Sequence, residues 1–279
     1  MGSEKRTSMV PLVVGLIIIV VAVVIGAAMI LWYWPGFGPV GPSGAVIGSG
    51  KLDTRDMDFN DFTVVDVGYA FEVDITQSSS YSVSITMDDN LFDYLQASKT
   101  GERLIIRLKA GYSYRSVTSR AKITMPDLHE LGLSGATRCT AEGFSSSHRF
   151  IAALSGASSL SMVDMSAGDT EIEVSGASRV TGGVTVSGDV QFNVSGASTV
   201  ELDGAANDLV AEVSGASNLE LSDFPVDNAD VGLSGASRAT VNLDGRLDAD
   251  VSGASHLLYV GAPTMGNIDT SGGSTIGKK

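Results

Sequence analysis

Residues 174–200 read VSGASRVTGGVTVSGDVQFNVSGASTV, and this stretch decides the fold. The tetrad Ser-Gly-Ala-Ser, or a close copy of it, occurs eight times along the chain, with first residues at Ser134, Ser155, Ser175, Ser195, Ser214, Ser234, Ser252 and Ser271. Successive copies start 18 to 21 residues apart. Such a period is too short for helical-pair repeats or propeller blades, and it is typical of one turn of a β-solenoid.

Apolar columns flank the tetrad when the eight copies are aligned on the first serine. The third residue before that serine and the fifth after it are apolar in every copy. Apolar and polar residues alternate on each side, which predicts two strands per repeat. The alternation breaks across Ser-Gly-Ala, where glycine supplies backbone angles that other residues avoid, so a corner is expected there. We therefore predict an all-β fold, a parallel β-helix with rungs of about 20 residues over residues 129–279.

Residues 51–128 form a separate β segment of the predicted domain. Short alternating runs such as Tyr81–Met87 and Leu104–Leu108 indicate strands. Only Asp88–Ala97 is typical of a short helix or a wide loop, and Pro126 ends the last alternating run. This segment precedes the repeats and shares their strand-rich composition.

The first fifty residues have the pattern of a membrane anchor followed by a linker. Residues 9–34 contain no charge and are long enough to cross a bilayer as one helix. Lys5 and Arg6 precede this span, so the positive-inside rule places residues 1–8 in the cytoplasm and the remainder outside the cell or in the periplasm. A cleaved signal peptide ending near Gly26-Ala27-Ala28 is the alternative to an uncleaved anchor. Residues 35–50 are rich in glycine and proline, which predicts a flexible linker without regular structure.

Composition excludes several classes of function. A net charge of −14 opposes binding to nucleic acid, since both partners would be negative. The single cysteine, Cys139, excludes an internal disulfide, and it falls in an apolar column, which predicts a core residue and not a nucleophile. Eight equivalent serines without a G-x-S-x-G motif favour hydroxyl ladders over serine hydrolysis. Three histidines leave little for a histidine-based metal site, so no metal or cofactor is expected.

Several segments also carry a family resemblance. FNDFTVVDVGYAFEVDITQ (59–77), AKITMPDLHELGLSGATR (121–138) and the later tetrads resemble the head GIN domain family of putative auto-transporter adhesins, over about residues 51–279. The resemblance implies a β-helical fold and a role at the cell surface. It brings no catalytic residues to this chain.

Two polar columns are the candidate ligand-facing sites. Residues two before the tetrad include Glu173, Asn193, Glu212, Asp250 and Asp269, and residues four after its first serine include Arg138, Arg179, Asn218, Arg238 and His256. Each column would run along a flat β face, which suits an extended polymer such as a glycan. An ordinary solvated surface explains the same pattern. Aspartates in the loops match no calcium-binding motif, and the sequon at Asn193 lies within a predicted strand.

These observations predict a non-enzymatic, membrane-anchored protein of the cell surface that binds a surface glycan or an envelope protein. A polysaccharide-acting enzyme on a β-helix and a purely structural envelope protein are the alternatives. The last rung, Ile268 to Ile276, has no capping element after it in the sequence, so its strands would present unpaired backbone groups. Self-association through this rung is therefore expected.

Overall fold

The computed structural model describes residues 44–279, which are almost entirely strands and turns. Among these residues there is one 3-10 helix, at Asp89–Tyr94, within the segment for which a short helix or a wide loop was expected. The first nine strands are β1 Ala45–Ile47, β2 Leu52–Met57, β3 Val64–Val67, β4 Glu72–Gln77, β5 Ser82–Asp88, β6 Leu95–Thr100, β7 Arg103–Leu108, β8 Ser113–Arg115 and β9 Ser119–Met125.

From β10 onward each tetrad joins two strands, and the chain makes about seven turns between the first tetrad and the last. The strands are β10 Glu130–Leu133, β11 Arg138–Glu142, β12 Phe150–Leu154, β13 Ser159–Ala167, β14 Thr170–Val174, β15 Arg179–Val186, β16 Val190–Val194, β17 Thr199–Ala205, β18 Asp208–Val213, β19 Asn218–Val226, β20 Asn228–Leu233, β21 Arg238–Leu243, β22 Arg246–Val251, β23 His256–Val260, β24 Thr264–Thr270 and β25 Thr275–Lys278. The predicted parallel β-helix is confirmed.

Two long sheets form the walls of the solenoid. The 11-stranded sheet runs β24-β22-β20-β18-β16-β14-β12-β10-β3-β7-β6, and the 12-stranded sheet runs β2-β5-β9-β4-β11-β13-β15-β17-β19-β21-β23-β25. Strands of successive rungs pair in parallel, each with its counterpart one turn earlier. The apolar columns point between the sheets, where Ile172 and Phe192 are fully buried. Each rung therefore buries its apolar residues only because its neighbours stack on it.

The tetrad forms the corner between the two sheets. Its glycine has a φ between 71° and 80° in all eight copies, in the left-handed region. A Cβ atom on Gly176 would lie 2.4 Å from the carbonyl oxygen of Gly156 in the preceding rung, so the rungs stack too closely for a side chain there. The fourth residue turns inward, and its hydroxyl closes the corner: Ser158 donates to the carbonyl of Ser155 at 2.9 Å.

Cys139 occupies the core as the sequence predicted. Its side chain is buried among apolar neighbours of the adjacent rungs and has no disulfide partner. Burial, reinforced by the nearby Asp74 carboxylate, raises the pKa of the Cys139 thiol. A neutral, inaccessible thiol is a packing residue and not a nucleophile.

The segment before the first tetrad contains an additional rung that the repeat pattern did not reveal. β3 pairs with β10 and β4 pairs with β11, and the link between β3 and β4 aligns with the tetrad. Tyr69 stands in the glycine position there, with a φ of 66°. Beyond this rung, antiparallel pairs of β6 with β7 and of β2 with β5 cover one end of the stack.

Residues 1–43 lie outside the described structure, and so do the predicted anchor at 9–34 and most of the predicted linker. Among residues 44–279, no helix has the length and apolar character needed to span a bilayer. The expectation of no regular structure throughout 35–50 was wrong for its last residues. β1 pairs in parallel with β8, and the N–H of Gly50 donates to Asp88 at 2.7 Å, because local composition does not exclude pairing with a distant strand.

Candidate functional site

The arginine column lies on the outer face of the 12-stranded sheet. Strand register aligns its members one per rung, in the order Arg138, Ser159, Arg179, Thr199, Asn218, Arg238, His256 and Thr275. The three arginines are exposed, and no ion pair joins them to other residues in the described part of the chain. Successive side chains of the column are therefore about 4.8 Å apart. The three guanidinium groups are two and three rungs apart, with hydroxyl or amide side chains between them.

A groove of about 240 Å³ opens on the same face, two residues further along the strands. β17 pairs with β19 only from Thr199 to Glu201, and the pairing of β19 with β21 shifts register after Glu220. This irregularity separates the strand edges locally and opens the groove. Its lining includes Thr181, Glu201, Asp203, Glu220, Ser222 and Asp223.

Glu220 is the best-connected acid in this groove. Thr240 donates to one of its carboxylate oxygens at 3.0 Å, Lys279 donates to the other at 3.1 Å, and Ser222 also donates to it. Burial alone would raise the pKa of Glu220, but the hydrogen bonds from Ser222, Lys279 and Thr240 outweigh burial and hold that pKa below its ordinary value. Glu220 is therefore an ionised acceptor at neutral pH, which is the opposite of what a general acid requires.

The acidic column lies on the outer face of the other, 11-stranded sheet. Register aligns Asp66, Gly132, Ala153, Glu173, Asn193, Glu212, Gly232, Asp250 and Asp269. The two columns proposed from the sequence thus flank the tetrad corner on different sheets. A flat ligand bound to one sheet would contact only one of them. The binding role of either column stays a prediction.

Burial and neighbouring carboxylates raise the pKa values of two glutamates in the acidic column. Burial raises the pKa of Glu212, and repulsion from Asp230 and Asp250 adds to the effect. Burial likewise raises the pKa of Glu173, with further contributions from Glu171 and Glu130. Burial and the neighbouring carboxylates therefore disfavour the ionised form of both glutamates in the folded state.

Acidic loop residues have a structural role. Asp169 accepts the backbone N–H of Asp189 at 3.1 Å, Asp189 accepts that of Asp208 at 3.2 Å, and Asp208 accepts that of Asn228 at 3.1 Å. Each carboxylate therefore satisfies a backbone donor in the next rung. Asp169, Asp189 and Asp208 therefore stabilise the stacking of successive rungs at this end.

A side-chain cluster that sequence reasoning missed lies in the loops before β10 and β12. Asp127, His129 and His148 bring three donor atoms to within 4.8 Å of one another. The sequence analysis gave the histidines no metal-binding role, although His148 follows Asp127 by 21 residues, which is the rung period at this point of the chain. That periodicity was the available signal, while the long loop at 143–149 hid their convergence.

The architecture and the sequence both match one described family. The family model for the putative auto-transporter adhesin, head GIN domain, matches residues 61–263. The chain belongs to this family. The resemblance noted from the tetrads and from the segments before them is thereby confirmed. No curated protein matches the chain.

Solved structures similar to this head GIN domain protein share its fold at low sequence identity. A putative lipid binding protein from Parabacteroides distasonis superposes with a TM-score of 0.78 at 20% identity, over 85% of this chain and 100% of that one. A putative adhesin from the same species has a TM-score of 0.74 at 19% identity over the same shares. A putative adhesin from Parabacteroides merdae has 0.76 at 18%, over 84% of this chain and 99% of that one.

Proposed function

We propose that this protein is a membrane-anchored adhesion module of the cell surface, held by residues 9–34, that binds a surface glycan through the outer face of the 12-stranded sheet without catalysis. The observation that carries the proposal is the arginine column, whose three guanidinium groups are exposed and free of ion pairs within residues 44–279. Membership of an adhesin-like family supports the same role.

The chemistry of this face matches a polyhydroxylated polymer. Arg179 and Arg238 offer several N–H donors each, and the groove beside them offers carboxylate acceptors such as Glu201 and Asp203. Sugar hydroxyls both donate and accept hydrogen bonds, so they can bind the arginine donors and the carboxylate acceptors at the same time. The net charge of −14 disfavours a strongly anionic polymer. An envelope protein is the alternative partner.

Catalysis and lipid binding are less well supported. Glycoside hydrolysis in the groove would need a carboxylic acid with a raised pKa beside a second carboxylate, whereas hydrogen bonds lower the pKa of Glu220 there despite its burial. The glutamates with a raised pKa, Glu173 and Glu212, lie on the other sheet, away from the groove. The space between the two sheets is filled by side chains such as Phe192 and Phe224. We therefore do not extend to this chain the lipid binding named for one similar structure.

Cells that express the full chain with an epitope tag after Lys279 provide the test. Antibody should label the tag on intact cells, and the cells should adhere to surfaces coated with one or more polysaccharides from a neutral and acidic panel. The double variant Arg179→Ala/Arg238→Ala should reduce adhesion at least about tenfold, the loss expected for two charge-assisted contacts, with surface amount and urea midpoint unchanged.

A charge-matched variant provides the control. Arg115→Ala/Lys99→Ala removes the same charge from side chains outside the column and should leave adhesion intact. Equal losses in both variants would mean that bulk charge, and not the column, mediates contact. A tag inaccessible on intact cells would refute the proposed location.

We further propose that the chain self-associates through its last rung. Met265 and Ile268 are 44% and 38% exposed, although their partners Leu247 and Ala249 in the preceding rung are buried. β24 and β25 also form edges of the two sheets, with backbone groups available for pairing. Sedimentation velocity should show a mass that rises with concentration, and Ile268→Lys should abolish the rise. A strictly monomeric wild-type chain up to hundreds of micromolar would contradict this proposal.

A further inference from the structure

Asp127, His129 and His148 form a compact cluster outside the faces described above. Oδ2 of Asp127 lies 3.0 Å from Nε2 of His129 and 2.6 Å from Nδ1 of His148. The Ser146 hydroxyl lies 3.2 Å from the same carboxylate oxygen and 3.2 Å from Nδ1 of His148. Two imidazole nitrogens and one hydroxyl therefore converge on a single carboxylate oxygen.

The rung ladder holds the backbone of these residues in place. The N–H of His129 donates to Thr63 at 2.8 Å, and the carbonyl of His148 accepts from Gly168 at 2.8 Å. The second carboxylate oxygen of Asp127 accepts the N–H of Leu128 at 2.9 Å, which directs the first oxygen toward the histidines. The three side chains are thus oriented before any ligand arrives.

We propose that Asp127, His129 and His148 bind a divalent first-row transition metal ion such as Zn²⁺. Two imidazoles and one carboxylate are a donor set that such ions prefer. Ligands at about 2.0–2.1 Å from a tetrahedral Zn²⁺ lie about 3.3 Å apart. The separations of the Asp127 oxygen from the His129 and His148 nitrogens, 3.0 and 2.6 Å, would therefore each have to widen by less than about 1 Å. Ca²⁺ requires six or more oxygen ligands, and this cluster provides one carboxylate.

The cluster is open to solvent on the side of His148. The side chain of His148 is 65% exposed and that of Asp127 is 23% exposed, so an ion can enter from solvent and keep water ligands.

Such a site would connect two parts of the chain. Asp127 and His129 lie between β9 and β10, whereas His148 lies one turn later in the 143–149 loop. A bound ion would fix this loop, the longest between consecutive strands from β10 onward, against the preceding rung. Since the ion would bind only the folded chain, it would raise stability in proportion to its affinity. This inference is independent of ligand binding by the arginine column.

Calorimetric titration of the untagged, chelator-treated full chain with ZnCl₂ tests the proposal. We expect saturable binding of one ion per chain and a Zn²⁺-dependent rise in melting temperature, with no response to Ca²⁺. His148→Ala should weaken binding at least about tenfold, because it removes one of three ligands. His148→Gln, a polar replacement at an exposed position, provides a second variant if the first folds poorly.

His256→Ala is the matched control. His256 is the third histidine and hydrogen-bonds Thr275 at 2.7 Å on the outer face of the 12-stranded sheet. Its replacement should leave stoichiometry and affinity for Zn²⁺ unchanged. The proposal is overturned if the wild-type chain binds no Zn²⁺ at millimolar concentration, or if His148→Ala and His148→Gln bind as tightly as wild type. If His256→Ala weakened Zn²⁺ binding as much as His148→Ala does, the ion would not be bound specifically by the Asp127 cluster, and the proposal would also be overturned.

Discussion

The two ends of each rung differ in how strictly they are built. At the tetrad corner four residues always separate the two strands, whereas the links at the opposite end contain from one residue, at Asp227, to seven, at 143–149. The tetrad corner repeats one conformation because each glycine stacks on the glycine below it. The links at the opposite end also hydrogen-bond from rung to rung, through Asp169, Asp189 and Asp208, but they do so with links of different length. The fixed corner specifies the scaffold, while individual chemistry, such as the Asp127 cluster, is found at the variable end.

Two glycines with the same φ angle can separate the effect of backbone strain from the effect of close stacking between rungs. Gly176 at the tetrad corner and Gly143 at the variable end both have a φ of 78°. A Cβ atom on Gly176 would lie 2.4 Å from a backbone oxygen, but one on Gly143 would meet nothing within 4 Å. Gly176→Ala should therefore cost strain plus overlap, about 3 kcal/mol, and Gly143→Ala should cost strain alone, about 1 kcal/mol.

Urea unfolding of the full chain measures both variants against wild type. A clearly lower midpoint for Gly176→Ala than for Gly143→Ala is expected. If the two variants lost equal stability, close stacking of the rungs would not be what fixes the corner. The difference between the two values isolates the overlap, because backbone strain is common to both.

The sequence was sufficient to predict the corner and the core. The tetrad gave the rung period, and the apolar columns gave the residues that pack between the sheets, Cys139 among them. These features repeat, so every copy reinforces the same inference. The additional rung at β3 and β4 escaped notice because Tyr69 replaces the corner glycine at a positive φ. β1 was missed because its strand pairing is with the distant β8 and leaves no local pattern.

The sites were harder to predict than the scaffold. Strand register aligns the acidic and arginine columns as their spacing indicated, and their binding role stays a prediction. The columns lie on different sheets, on the two sides of the tetrad corner. The approach of His148 to Asp127 depends on the course of the 143–149 loop, which the repeat does not specify. Side chains that occur once lack the repetition that made the core predictable.

The smallest expected effect concerns the acidic column on one side of the tetrad corner, where stability should depend on pH. Burial first, and then repulsion by Glu171 and Glu130, raises the pKa of Glu173 in the acidic column. A carboxyl whose pKa is higher in the folded state favours folding most when it is protonated. Its contribution is therefore complete below the ordinary pKa of glutamate and is lost as pH rises through the raised value.

Replacement of Glu173 by an uncharged isostere should remove this dependence. Glu173→Gln should be more stable than wild type at pH 8, by about 0.5 kcal/mol after allowance for solvent screening of a half-exposed group, and the advantage should disappear near pH 4. Asn193→Asp is the reciprocal variant, because it adds a carboxylate between Glu173 and Glu212 in the same column. It should lose stability at pH 8 and regain it near pH 4. Urea midpoints of both variants and of wild type, measured at pH 8 and pH 4, test this prediction. If the differences from wild type are the same at both pH values, repulsion between carboxylates on this face does not affect folding.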